Sequence, residues 1–198
     1  MPPRGPTDED LRKLHAEINQ LVNQRFLVMM GGITAFGVLA GWLIPKDGQI
    51  SSTTTEVGGF RYAGAILLMI VLGAFFAYSL QLRKTLRAFS SYLIATKKSN
   101  WELDWQDFRR QFSIEGYTRA QTVIFMLLGF LSALLPFGIA LVFQLKRTPT
   151  EGMWLNIVVG VVYLVTLGIL GFSDRRNTEK AFEAMWKDLR PGEGGGAA

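Results

Sequence analysis

Glu17, Asn23, Gln24 and Arg25 stand together just ahead of a long uncharged stretch, and Arg119 with Gln121 holds the equivalent place ahead of another. A carboxylate, amides and guanidinium groups offer complementary donors and acceptors. At the mouth of a helix bundle such groups bond one another between helices. The plainer role for them is anchoring at the level of lipid head groups. Glu17, Asn23, Arg25, Arg119 and Gln121 are therefore the candidate polar cluster.

Acid chemistry would fall to Glu17, Glu115 and Asp174, which lie at the edges of uncharged stretches. Solvated edge charge is the first reading of all three. The single histidine, His15, follows Leu14 of an apolar stripe and reads as a surface residue. With no cysteine in the chain, thiolate metal sites, disulfides and thiol nucleophiles are excluded. One histidine cannot supply paired imidazole ligands. No phosphate-binding glycine loop, dinucleotide fingerprint, nucleophile elbow or zinc-protease motif occurs. The expectation is a non-enzymatic protein with no catalytic, cofactor-binding or metal-binding residues.

Four segments must position these groups. Residues 26–45, 62–82, 120–145 and 152–173 carry no charge. A helix rises about 1.5 Å per residue, so each is long enough to cross roughly 30 Å of hydrocarbon. In the fourth, Leu155, Ile157, Val158, Val159, Val161, Val162, Leu164, Val165, Leu167, Ile169, Leu170 and Phe172 each favour insertion by about 0.3–0.6 kcal/mol near the bilayer centre. A soluble bundle would need polar stripes on its helices, and these segments have none. Only 19% of the chain is charged while 49% is hydrophobic, and the charges cluster between the apolar stretches. The predicted fold is all-α: a polytopic integral membrane protein with four transmembrane helices plus cytoplasmic amphipathic helices. The acids Asp8, Glu9, Asp10 and Glu17 ahead of the first span are unlike the short basic region of a cleaved signal peptide, so that span reads as an uncleaved anchor.

Net charge is +5, which invites a nucleic-acid reading. The placement of the cations argues against it. Seventeen of the 21 Lys and Arg lie in the segments 1–25, 83–119 and 174–190, and only Lys46, Arg61, Lys146 and Arg147 lie in the short loops. The positive-inside rule then puts both termini and the central segment in the cytoplasm, in a multi-pass protein of a bacterial inner (plasma) membrane. The expected partners are the lipid bilayer and a protein partner or a second copy, with no nucleic acid.

The cytoplasmic segments, 8–25, 83–118 and 174–190, carry apolar stripes. Leu11, Leu14, Ile18 and Leu21 recur at helical spacing. Thr7 with Asp10 suits a capping pair at the start of that helix. Leu82, Leu86, Phe89 and Leu93 continue the second span beyond Arg83, Lys84 and Arg87. Ser99 with Glu102 resembles a second capping box, and Trp101, Trp105, Phe108 and Phe112 follow as an aromatic stripe opposite charges. That pattern reads first as an interfacial helix, otherwise as internal packing or partner docking; Gly116 marks its end. Phe182, Met185, Trp186 and Leu189 form a last stripe. Residues 1–7 and the Gly-rich tail 191–198 read as disordered, with 8–190 a single domain. The two halves share one plan: amphipathic helix, span, short loop, span, amphipathic helix.

Within the spans, Gly31 with Ala35, Gly37 with Gly41, Gly73 with Ala77 and Gly129 with Ala133 are small pairs one turn apart, which let helices approach closely. Packing within one chain is the first expectation for them, oligomer faces the second. Pro136 inside the third span removes one backbone bond and predicts a kink. The functional expectation is a subunit or scaffold of a membrane complex, with its cytoplasmic helices as docking surface. The alternative is an oligomeric pore or channel-like effector. A lipid-handling enzyme using Glu17, Glu115 and Asp174 is a third reading.

Overall fold

The computed structural model describes residues 7–44, 59–95, 116–143, 151–173, 182 and 184–185. Its elements are α1 (Asp8–Leu43), α2 (Gly59–Ala95), α3 (Gly116–Val142) and α4 (Glu151–Ser173). All four are long and apolar enough to cross a membrane.

The first helix starts on a capping box. Thr7 N donates to Asp10 Oδ2 at 2.9 Å, and Asp10 N donates to Thr7 Oγ1 at 3.3 Å. Asp8, Glu9 and Asp10 place negative charge in the first turn, where the helix dipole favours it. From there α1 runs unbroken, so the stripe Leu11, Leu14, Ile18 and Leu21 and the first span belong to one helix of 36 residues. The stripe is half-buried and the residues between are exposed. The helix stops at Leu43, two residues short of the expected span end. Ile44 is extended, at φ −70° and ψ 129°. It precedes Pro45, whose ring disfavours helical backbone in the residue before it.

The second helix is likewise longer than its span, 37 residues, and passes through Arg83, Lys84 and Arg87 without a break. Gly116, read from sequence as the end of the aromatic segment, is instead the first residue of α3, and α3 ends at Val142. The backbone of α3 stays helical through Pro136. Residues 99–112, with the stripe Trp101, Trp105, Phe108 and Phe112, lie outside the described residues. So do the two segments expected to be disordered, apart from Thr7, and most of 174–190.

Ring contacts fix the direction of each helix. Trp42 near the end of α1 meets Phe60 at the start of α2, with centroids 5.4 Å apart. Tyr62 of α2 meets Phe137 near the end of α3 at 6.3 Å. A Cβ on Gly152, at the start of α4, would lie 3.4 Å from the Tyr62 ring. The helices therefore run up, down, up, down. Among the described residues α2 and α3 each pack on all three other helices, while α1 and α4 do not meet. The core thus follows the α2–α3 seam, with α1 and α4 on either side.

Each helix buries one stripe. On α2 it is Tyr62, Ala65, Leu68, Met69, Leu72, Phe76, Ser79, Leu82 and Arg83, at steps of mostly three and four. Leu68, Leu72, Phe76, Phe125, Tyr163 and Leu167 fill the centre. These side chains meet in close packing along the α2–α3 seam. Glycine makes that packing tight. The Tyr163 ring lies where a Cβ on Gly129 would be, and a Cβ on Gly73 would touch it at 3.5 Å. Gly31 and Gly32 similarly take the rings of Phe75 and Phe125.

The pair Gly37 and Gly41 departs from the expectation of packing within the chain. Among the described residues, nothing lies within 4 Å of a Cβ at either. The inward face of α1 carries Arg25, Gly32, Ala40 and Leu43, and Gly37 and Gly41 are turned away from it.

Candidate functional site at the basic end of the bundle

Opposite the Trp42–Phe60 end, three helices bring polar groups together. Arg25 closes the amphipathic part of α1, and its Nε donates to Gln121 Oε1 of α3 at 2.8 Å. Gln121 Nε2 donates in turn to Ser79 Oγ of α2. The order of the chain follows from valence. A guanidinium has donors only, so it takes the amide oxygen and leaves the amide nitrogen for the serine. All three residues are buried; Arg25 is 9% exposed and Gln121 3%.

Arg83 lies one helical turn beyond Ser79 on the same face of α2 and is 4% exposed. Thr122, next to Gln121, is also buried. From the fourth helix, Gly171 admits the Thr122 side chain where a Cβ would stand. Two guanidinium groups therefore sit inside the end of the bundle rather than at its rim. A buried cation is tolerated only with close polar partners, and the Gln121 amide is one for Arg25.

Of the five residues singled out from sequence, Arg25 and Gln121 are bonded. Glu17 and Asn23 are exposed on α1. Asn23 is two residues from Arg25, about 200° round the helix, and so points the other way. Arg119 lies in the first turn of α3, and its side chain is outside the described residues. His15 is exposed. Glu115 and Asp174 lie outside the described residues.

Ser79, Arg83 and Thr122 are the residues that sequence reasoning does not select. A signal for two of them is present: Leu72, Phe76, Ser79 and Arg83 share one helical stripe, so a buried Leu72 implies an inward Ser79 and Arg83. A second polar contact lies toward the other end, where Asn156 Nδ2 of α4 donates to the Ala133 carbonyl of α3 at 2.8 Å. Among the described residues, no three His, Cys, Asp or Glu side chains converge as a metal site would require.

No family model, curated protein or solved structure matches this chain. The reading of the site therefore rests on its geometry. The Arg25–Gln121–Ser79 chain is a clamp on α1, α2 and α3 at the level where the apolar stretches begin. Its chemistry is hydrogen bonding around a fixed positive charge.

Proposed function

We propose that this is a multi-pass integral membrane protein, non-enzymatic, that works by association as a subunit or scaffold of a membrane complex. Both termini and the central segment lie in the cytoplasm on this reading, by the bias of Lys and Arg. The observation that supports membrane embedding is an inverted polarity. Leu141 and Val142 are 66% and 73% exposed, and Leu27, Val38, Ile70 and Val161 are exposed with them, while Ser132 and Asn156 are fully buried. A soluble helix bundle does not present an apolar surface of that extent. Trp42, Phe60 and Trp154 are exposed toward one end, where aromatic side chains suit a membrane–water interface.

The docking surface is carried by α1 and α2. Beyond the buried arginines α1 continues from Arg25 back to Asp8, about 25 Å, and α2 from Arg83 to Ala95, about 18 Å. These rigid extensions lie on the basic side. The half-buried stripe Leu11, Leu14, Ile18 and Leu21 gives α1 an apolar face there.

The test is capture in native membranes. Single cysteines at Ala16 and Gln20, both exposed, carry a photocrosslinker into cells. A protein crosslinked reproducibly at these sites, and lost when Leu14 and Ile18 become Ser, supports the reading. Crosslinks to lipid alone in gently solubilised membranes overturn it. The open faces of Gly37 and Gly41 favour a second reading, an oligomeric pore built between copies. The interior of a single copy is filled by Leu68, Leu72 and Phe125, so conduction in planar bilayers would have to come from an assembly.

A further inference from the structure

Asn156 is fully buried in α4, yet only half of its amide is bonded to protein. Nδ2 donates to the Ala133 carbonyl. No donor among the described residues reaches Oδ1. An amide oxygen enclosed in this way, away from water, is costly unless something donates to it.

A second acceptor stands beside it. Pro136 is buried within α3 and has no N–H. The carbonyl four residues earlier, that of Ser132, therefore lacks the donor an ordinary helix supplies. The Ser132 hydroxyl does not substitute, because its Oγ donates to the Leu128 carbonyl at 2.7 Å. Ser132 and Ala133 are consecutive, and their carbonyls are about 100° apart round the helix. The Asn156 amide thus bonds α3 one residue along from the Ser132 carbonyl. Gly160, one turn from Asn156, lets the backbones come close: a Cβ there would lie 3.0 Å from that of Ala133.

We propose that α3 and α4 enclose a binding site for one water molecule, which donates one hydrogen to Asn156 Oδ1 and the other to the Ser132 carbonyl. An Asn156 Oδ1 that no described donor reaches, on an amide bonded one residue from a carbonyl deprived of its helical donor, matches a molecule with two donors on one small atom. A divalent cation would require more oxygen ligands than these two. The site is separate from the Arg25–Gln121 clamp, which lies toward the opposite end of the bundle. It stands whichever partner the cytoplasmic helices engage.

Water-edited solid-state NMR on the full chain in bilayers tests this. Magnetisation from water should reach Asn156 Cγ and Ser132 C′ several-fold faster than it reaches Ala65. Ala65 is the matched dry control. It is fully buried and lies between Tyr62, which meets Gly152, and Met69, which approaches Gly160, so it sits at the depth of Asn156. Build-up at Asn156 and Ser132 as slow as at Ala65 overturns the proposal. Pro136→Ala returns a helical donor to Ser132 and should slow the transfer at both carbons. Asn156→Leu should slow it at Ser132. Unchanged transfer in either variant overturns the bridge, and the wild-type comparison decides the matter if a variant does not fold.

Discussion

Arg25 Nε lies 2.8 Å from Gln121 Oε1, a contact that ties the first helix to the third within the buried end of the bundle. Arginine stays charged throughout the accessible pH range, so this bond is charge-assisted at all times. Gln121→Leu removes its acceptor and is expected to destabilise the fold by about 1.5–3 kcal/mol, read by equilibrium unfolding in mixed micelles. Ser79→Ala removes the weaker second bond and should cost about 0.5–1.5 kcal/mol. The two losses should not add, because both bonds pass through the Gln121 amide. Strict additivity would show that the groups do not act as one chain.

Glycine positions that look alike in sequence should respond differently. A side chain at Gly129 meets the Tyr163 ring, whereas one at Gly37 meets nothing within 4 Å among the described residues. Gly129→Ala should therefore lose about 1–3 kcal/mol through overpacking. Gly37→Ala should stay within about 0.5 kcal/mol in the monomer, as for a surface change. A large effect of Gly37→Ala that scales with protein concentration would reveal packing between copies at that face.

That contrast marks where the sequence is legible and where it is not. The four apolar helices are legible because length without charge is sufficient evidence. The unbroken runs of α1 and α2 are legible because the stripes Leu11–Leu21 and Leu82–Leu93 continue the adjoining spans. The central place of α2 and α3 is not. All four spans have similar composition, and only the fit of particular shapes, such as Tyr163 between Gly73 and Gly129, selects which faces meet. At the site, Arg25 and Gln121 can be picked out by their place at the edge of the apolar stretches. Ser79 carries only the fainter signal of its place on the Leu72–Phe76 stripe, because a serine in a span can also satisfy itself on its own helix. Arg83 reads as a head-group anchor, and is buried because it shares the Ser79 face.

The start of α1 should depend on acid. The Thr7 side chain and then the Thr7 backbone N–H bond the Asp10 carboxylate and hold it below its ordinary value of 3.8. The lowered value means that folding favours the ionised form. That contribution is fully present above the unfolded carboxylate value and is lost as pH falls through the lowered folded value. The Asp10 side chain should titrate below 3.8 by NMR, and the first turn should fray in parallel. In Thr7→Ala the midpoint should move up toward the ordinary value. An unmoved midpoint would mean that Thr7 is not what lowers it.

The proposed orientation rests on where the cations lie, and the cysteine-free chain makes it measurable without background. On that proposal Ser52, between the first two apolar stretches, faces outward, and Lys98, in the central basic segment, faces the cytoplasm. In intact cells an impermeant maleimide should label Ser52→Cys and leave Lys98→Cys untouched until the membrane is opened. The driving term is the excess of Lys and Arg in short segments flanking the spans, which resist translocation. Reducing that excess weakens the preference. Changing Arg83, Lys84 and Arg87 to Gln, while adding three Lys to the loop around Ser52, should therefore produce a fraction of chains labelled the other way round. Arg83 is buried, so its replacement also perturbs packing. A control with only Lys84 and Arg87 changed separates the two effects. Labelling of Lys98→Cys in intact cells expressing the otherwise unaltered chain would reverse the assignment of sides.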